Sequence, residues 1–287
     1  MTVGRHLVCL TFDFDALSGW IARGLTTPTP ISRGEFGVVG AARILAMLRR
    51  HAIRSTWFIP GITIATYPER CRAVVEDGHE IANHGWTHIP PARLSRDEEA
   101  AGLIRANAAI AELAGVPPTG YRSPSWDLSA HTVGLLLEQG IAYESSMMGH
   151  DYLPYFARRG DVIEAEEATR FGAATSLVEM PVSWTLDDYP HFEFVRTDTT
   201  ILPGLMNARA VLDNWVDEFA FMKREYKWGV LTYTFHPFVI GRGHRMLLLE
   251  RLIAHLRDEG AVFVTMAEAV AEWRAEGCPT DADVASQ

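Results

Sequence analysis

Short apolar runs alternate along the chain with longer stretches in which apolar residues recur at helical spacing. This is the pattern of parallel strands joined by crossover helices. The runs predict strands at Leu7 to Phe12, Ser55 to Ile59, Glu80 to Ala82, Gly120 to Tyr121, Leu177 to Met180, Val230 to Phe235 and Ala261 to Thr265. Between them the 3.6-residue period predicts helices at Val38 to Arg50, Pro68 to Asp77, Ser95 to Leu113, Ser129 to Gln139, Leu205 to Tyr226, Arg245 to Asp258 and Met266 to Glu276. Gly78, Gly115, Gly140 and Gly260 stand where four of these would end.

Two stretches lack either period: Ala16 to Gly37, rich in Gly, Pro, Ser and Thr, and Asp151 to Ala174. Both read as functional loops of unusual length. No repeat or low-complexity linker divides residues 1–287, so a single domain is expected, with a frayed tail from Pro279.

Composition narrows the function classes. The 287 residues are 48% hydrophobic and 22% charged, ordinary globular proportions, with a formal net charge of -10. Nucleic acid is therefore not an expected partner, since no basic face is visible to track phosphates. Cys9, Cys71 and Cys278 are scattered and odd in number, which suggests neither a disulfide framework nor a thiolate zinc site. The first apolar run breaks at Asp13, and no segment approaches the roughly 20 apolar residues of a membrane span. A cytoplasmic protein with no membrane partner is the expectation.

Candidate chemistry gathers just after the predicted strands. Asp13 and Asp15 follow the first, His84 and His88 the third, Arg122 the fourth, Trp184, Asp187 and Asp188 the fifth, and His236 the sixth. Carboxyl ends of parallel strands share one rim, so these groups would converge. In "NHGWTH" the four-residue spacing puts both imidazoles on one side of a helical turn or tight loop. A histidine pair alone is weak evidence; with an acid from another strand end it makes three ligands and leaves a position open. Arg122 in "GYRSPSW" can hold a carboxylate ionised, or be a surface arginine, and a solitary His236 in "YTFHPF" is more often structural than reactive.

Taken together these residues resemble one known family, the polysaccharide deacetylases, also called NodB-homology or carbohydrate esterase family four proteins. "TFDFD" stands at the family's Thr-Phe-Asp-Asp, "HGWTH" at its His-x-x-x-His, "YRSPSW" at its arginine motif and "FHP" at its Leu-x-His-Pro. The resemblance runs from Leu7 to Trp273. Phe14 separates the two aspartates here, and "SRGEFG", "RSPSWD" and "HPFVIGRGHR" are closer to a branch of intracellular peptidoglycan deacetylase-like proteins, cyclic imide hydrolases and cofactor-free allantoinases. The aspartate-rich fourth motif survives only as "SWTLDDY", which leaves open whether Asp187 or Asp188 partners His236.

The resemblance implies an α/β fold, a distorted parallel (β/α) barrel of about seven strands. It implies that Asp15, His84 and His88 hold one divalent metal ion, that Asp13 is the general base steadied by Arg122, and that His236 is the general acid. Zinc suits nitrogen and oxygen ligands at an open three-ligand site, while iron, cobalt, nickel or manganese are also admitted. The expected activity is metal-dependent hydrolysis of a non-peptide carbon-nitrogen bond, at an N-acyl or cyclic imide carbonyl. Trp20, Trp86, Trp126 and Trp184 fall in loops at the predicted rim and can stack on a sugar or enclose a small ring. A small enclosed substrate is favoured, an amino-sugar glycan or peptidoglycan being the alternative, and the branch implies a homo-oligomer such as a tetramer. Two readings of other classes fit worse. A haloacid-dehalogenase-type phosphatase needs Thr or Val where Leu17 stands, and a non-catalytic binding module needs no acid and base around an ion.

Overall fold

The computed structural model describes residues 4–196 and 201–284. Its strands are β1 (Arg5–Asp13), β2 (Thr56–Ile59), β3 (Glu80–Asn83), β4 (Gly120–Tyr121), β5 (Tyr143–Glu144), β6 (Tyr155–Arg159), β7 (Ala173–Glu179), β8 (Val195–Arg196), β9 (Ile201–Leu202), β10 (Trp228–Phe235) and β11 (Val262–Phe263). The helices are α1 (Ser18–Ala22), α2 (Pro28–His51), α3 (Gly61–Thr66), α4 (Pro68–Glu76), α5 (Arg96–Ala114), α6 (Thr132–Glu138), α7 (Asp188–Phe192), α8 (Ala208–Glu225), α9 (Pro237–Ile240), α10 (Gly243–Asp258), α11 (Met266–Ala275) and α12 (Asp281–Val284).

The main sheet runs in the order β10-β1-β2-β3-β4-β5-β7, all parallel, with β6 antiparallel on the outer edge of β7. Strand β11 pairs with the start of β1 and β2 with its end, so both share one edge of the same strand. Among the described residues no ladder joins β10 to the far edge; a bond from Val230 N–H to the Tyr152 carbonyl (2.9 Å) and an isolated Asp187–Thr234 bridge lie across that gap. The result is the expected α/β architecture, curled as a distorted, incompletely closed parallel (β/α) barrel.

Strand β1 shows why the site lies where it does. Val8, Leu10, Phe12 and Phe14 pack outward into the layer shared with the helices, while Leu7 and Cys9 face the interior core. The strand is buried on both faces, which is why it reads as an unbroken apolar run. Two-residue alternation puts Asp13 on the interior side at the strand's carboxyl end. Asp15, beyond the strand, keeps that side, and Phe14 packs edge-on to Trp57 (6.1 Å between centroids).

Three segments depart from the expectation. Ala16 to Gly37 is mostly helical, as α1 and the start of α2 from Pro28 to Gly37. Pro28 opens α2 at a position where its missing N–H costs nothing, and Gly34, Gly37 and Gly40 form a stripe three residues apart along one side. A Cβ on Gly34 would lie 2.6 Å from the Ala16 carbonyl, and one on Gly40 would lie 1.9 Å from the Pro237 carbonyl. The glycines therefore allow close helix packing rather than marking a loop. Asp151 to Ala174 holds β6 and an isolated Val162–Arg170 bridge, forming an antiparallel arm with β7. The tail is tied down over Asp281–Val284, where Asp281 accepts from Tyr226 Oη (3.0 Å) and pairs with His150; residues 285–287 lie outside the described residues.

Candidate active site

Asp15, His84 and His88 meet at the carboxyl ends of β1 and β3. His84 Nε2 lies 3.4 Å from Asp15 Oδ1, and His88 Nε2 lies 3.2 Å from Asp15 Oδ2. One ligand atom from each of the three lies within 4.8 Å of the others, and all three side chains are buried. The "HGWTH" segment is a tight loop rather than a helical turn, with left-handed φ at Gly85 (+70°) and His88 (+59°). Its shape is fixed from α3, whose Gly61 and Ile62 N–H groups donate to the carbonyls of Gly85 and Trp86 (2.9 Å each).

The donor chemistry of this trio fits a divalent cation. His84 Nδ1 lies 2.7 Å from the Arg122 carbonyl, which can only accept, so the proton sits on Nδ1 and Nε2 offers a lone pair to the site. Asp15 Oδ1 is buried with no hydrogen-bond donor, although such atoms are normally satisfied. Burial opposes positive charge on His84, yet Asp13 and Asp15 raise its pKa above the ordinary imidazole value. Burial likewise pushes Asp15 up, but His88 and His84 hold it well below the usual carboxylate range. The pocket is built to receive positive charge.

Beside the trio, Asp13 Oδ1 accepts from Arg122 Nη1 at 2.7 Å, while Oδ2 is 3.8 Å from His84 Nε2. Arg122 is fully buried, and every other donation it makes goes to a neutral oxygen: the Ser145 carbonyl (3.0 Å), Ser145 Oγ (3.1 Å) and Thr11 Oγ1 (2.9 Å). Asp13 is thus its one charged partner, and the pair is anchored from three elements.

Beneath Arg122 lies a support that reading of the sequence missed. Glu144 and Glu179, at the ends of β5 and β7, are fully buried side by side; both accept from the Ser146 N–H and Glu179 also from that of Met147. Burial and the neighbouring Glu144 carboxylate push Glu179 well above the usual carboxylate range. The pair holds the Ser145–Met147 loop that positions Arg122. No motif marks these glutamates; their only sequence signal is an acid at the end of an apolar run, and β5 was not predicted at all.

Across the trio, His236 Nδ1 lies 2.8 Å from Asp188 Oδ1 and 3.5 Å from Asp187 Oδ1. Asp188 also accepts from the His236 backbone N–H (3.0 and 3.1 Å), which identifies it as the tighter partner that the sequence left open. Asp187 caps the following helix through the Tyr189 N–H (2.7 Å), and a parallel bridge from Asp187 to Thr234 lays this segment along β10. Burial lowers the pKa of His236, but Asp187, Asp188 and Asp15 outweigh it and hold the imidazole protonated well above its ordinary value. Burial pushes Asp187 itself up to about 7. His236 Nε2 faces the trio, 3.8 Å from Asp15 Oδ2.

Asp13, Asp15, His84, His88, Asp187 and His236 line one cavity of about 210 Å³, closed on its other sides by Arg23, Ser125, Trp126, Trp184 and Tyr189. Trp126 and Trp184 stack at 4.2 Å and 30°, and Trp184 remains 42% exposed. Ser125 and Trp126 both hold left-handed φ (+59° and +53°), the kind of local strain that gathers at working sites. Trp20 and Trp86, expected at the rim, do not line the cavity. Trp20 is 3% exposed on α1, its ring under the Arg33 guanidinium (4.8 Å) and edge-on to Phe238 (6.1 Å). Trp86 turns outward, held between Gly61, where a Cβ would lie 2.2 Å from the ring, and the Arg105 guanidinium at 3.6 Å. A larger cavity of about 340 Å³ lies behind Trp86 but contains none of the trio, Asp13 or His236. Arg23 and Tyr189 are cavity residues the sequence reading did not select; both stand in segments it had marked, next to Trp20 and Asp188.

A family model described as polysaccharide deacetylase matches residues 2–143. The peptidoglycan deacetylase of Helicobacter pylori is 35% identical over 276 residues, covering 91% of this chain and 94% of its own. The chain belongs to the polysaccharide deacetylase family. Among solved members, a candidate polysaccharide deacetylase from Mycobacterium smegmatis is 30% identical and superposes with a TM-score of 0.82, covering 96% of this chain and 93% of its own. The crystal structure of Puue allantoinase shares the fold at 20% identity, with a TM-score of 0.79 and coverage of 97% and 93%.

Proposed function

We propose that this polysaccharide deacetylase family member is a metal-dependent hydrolase of non-peptide carbon-nitrogen bonds, acting on the N-acyl or cyclic imide carbonyl of a small, enclosed substrate. The observation that carries this reading is the placement of two differently supported groups, Asp13 on Arg122 and His236 on Asp188, around one buried Asp15, His84, His88 trio. A binding module has no use for that asymmetry.

In this reading Asp15, His84 and His88 hold the divalent ion, zinc being the simplest choice for two nitrogens and a carboxylate. When bound, the ion supplies Lewis-acid chemistry: a polarised carbonyl and a more acidic water. Asp13 takes the proton of the attacking water through Oδ2, because Arg122 occupies Oδ1. His236, fixed at Nδ1 by Asp188, carries its mobile proton on Nε2 and delivers it to the departing nitrogen. Expelling an unprotonated amide anion would otherwise be prohibitive.

A cavity of about 210 Å³ supports a small substrate over an extended polymer. One feature favours the second reading, N-deacetylation of N-acetylglucosamine-containing glycans: the stacked Trp126 and Trp184 form a flat, partly exposed wall suited to a sugar face. The proposal also assigns a cytoplasmic location, supported by three free cysteines, and a homo-oligomer, supported by exposed Ile163, Phe171 and Leu205. Turnover of the zinc-loaded protein on succinimide, allantoin, small N-acyl amines and N-acetylglucosamine oligomers tests the choice. Ring opening or small-amide cleavage without glycan deacetylation is expected; glycan deacetylation alone selects the second reading, and no turnover on any class opposes both.

A further inference from the structure

The acids and cations around the cavity pair off with one exception. Asp13 is matched by Arg122, Asp15 by His84 and His88, and Asp187 and Asp188 by His236. Arg23 also lines the cavity, and its recorded bond is to a neutral group: Nη1 donates to Tyr189 Oη at 2.5 Å, with the guanidinium carbon 5.4 Å from that ring's centre. One of its five N–H donors is used there, and among the described residues no carboxylate stands within ion-pair distance.

The position of Arg23 relative to the reacting groups follows from α1. A Cβ on Gly19 would lie 3.7 Å from His88 Nδ1 and 3.9 Å from Asp15 Oδ2, so this point of the helix abuts the trio. Arg23 follows four residues later, just past the end of α1, exposed and lining the same cavity as the trio. Tyr189, on which the guanidinium rests, lies with its ring centre 5.4 Å from that of His236. The free face of Arg23 thus opens on the cavity that holds the trio, on the wall shared with the proposed acid. A neutral amide, imide or sugar has no use for a guanidinium there.

We propose that Arg23 is a specificity-determining residue that selects a substrate carrying a carboxylate a few bonds from the scissile carbonyl, and so narrows the substrate class to small anionic N-acyl compounds or imides. The proposal rests on the hydrolase reading above. A fixed guanidinium clamps a carboxylate through paired N–H donors, with Tyr189 bracing the plane.

Calorimetric titration of the zinc-loaded protein with three hydroxamates tests it: acetohydroxamate, succinic monohydroxamate, and the carboxamide analogue of the latter. The carboxylate compound is expected to bind the wild type about tenfold or more tightly than its carboxamide. That ratio falls to about one in Arg23→Ala and is partly kept in Arg23→Lys. Equal affinity of the two in the wild type, or an unchanged ratio in Arg23→Ala, overturns the proposal while acetohydroxamate binding leaves the ion site standing. If no hydroxamate binds, the hydrolase reading fails and the role of Arg23 falls with it.

Discussion

Asp13 and Asp15 are chemically identical and two residues apart, and their partners separate them. Asp13 receives a buried guanidinium on one oxygen; Asp15 has an imidazole nitrogen 3.2–3.4 Å from each oxygen, and its Oδ1, beside His84, is buried without a donor. Alternation along β1 was enough to aim both acids to one side, so this much was legible from the order of the residues. Which acid accompanies His236 was not, because Asp187 and Asp188 are adjacent and only the bridge of Asp187 to Thr234 turns Asp188 onto the imidazole. Asp13→Asn is expected to retain the ion and the fold while lowering kcat by about 10²- to 10⁴-fold, measured by metal content alongside turnover. Loss of the ion in that variant would reverse the two aspartates.

Among the elements, α2 was the least legible, since its run from Pro28 to Gly40 carries the Pro, Gly and Ser content of a loop. Those glycines meet the chain at two places that matter: Gly34 and Gly37 lie against Ala16, next to Asp15, and Gly40 lies against Pro237, next to His236. One helix thus braces the ends of the first and last motif strands from outside the sheet. Gly40→Ala forces a methyl into the Pro237 carbonyl, so a loss of about 1–3 kcal/mol in denaturant unfolding is expected, with a fall in kcat from displacement of His236. Unchanged stability and turnover would show that α2 does not brace the site. Trp86 illustrates the opposite error: a tryptophan between two motif histidines reads as a rim residue, yet Arg105 and Gly61, distant in sequence, turn it into packing.

At the scale of the whole molecule, the strand-helix alternation and the family motifs gave the architecture, whereas the short strands β5 and β6 were invisible because two to five residues carry too little periodicity. The buried Glu144–Glu179 pair, built from β5 and β7, gives stability a pH dependence. Its folded-state pKa is raised, so its contribution is fully present below the unfolded carboxylate value of about 4.5 and is lost as pH rises towards the folded value. Glu179→Gln imitates the protonated acid, with a carbonyl that can still accept from Ser146 and Met147. Relative to wild type, the variant is expected to gain stability between pH 5 and pH 8, as followed by thermal unfolding; parallel pH profiles would mean that burial does not raise the Glu179 pKa.

Metal analysis of the purified protein bears most directly on the account as a whole, because Asp13, Arg122, Asp188 and His236 have their proposed roles only around an ion held by Asp15, His84 and His88. About one tightly bound divalent ion per chain is expected above the histidine pKa, falling to about zero in His84→Ala, which removes one of the two imidazole ligands. A wild-type protein that binds no divalent ion at any such pH, or a His84→Ala protein that retains a full equivalent, would contradict the account.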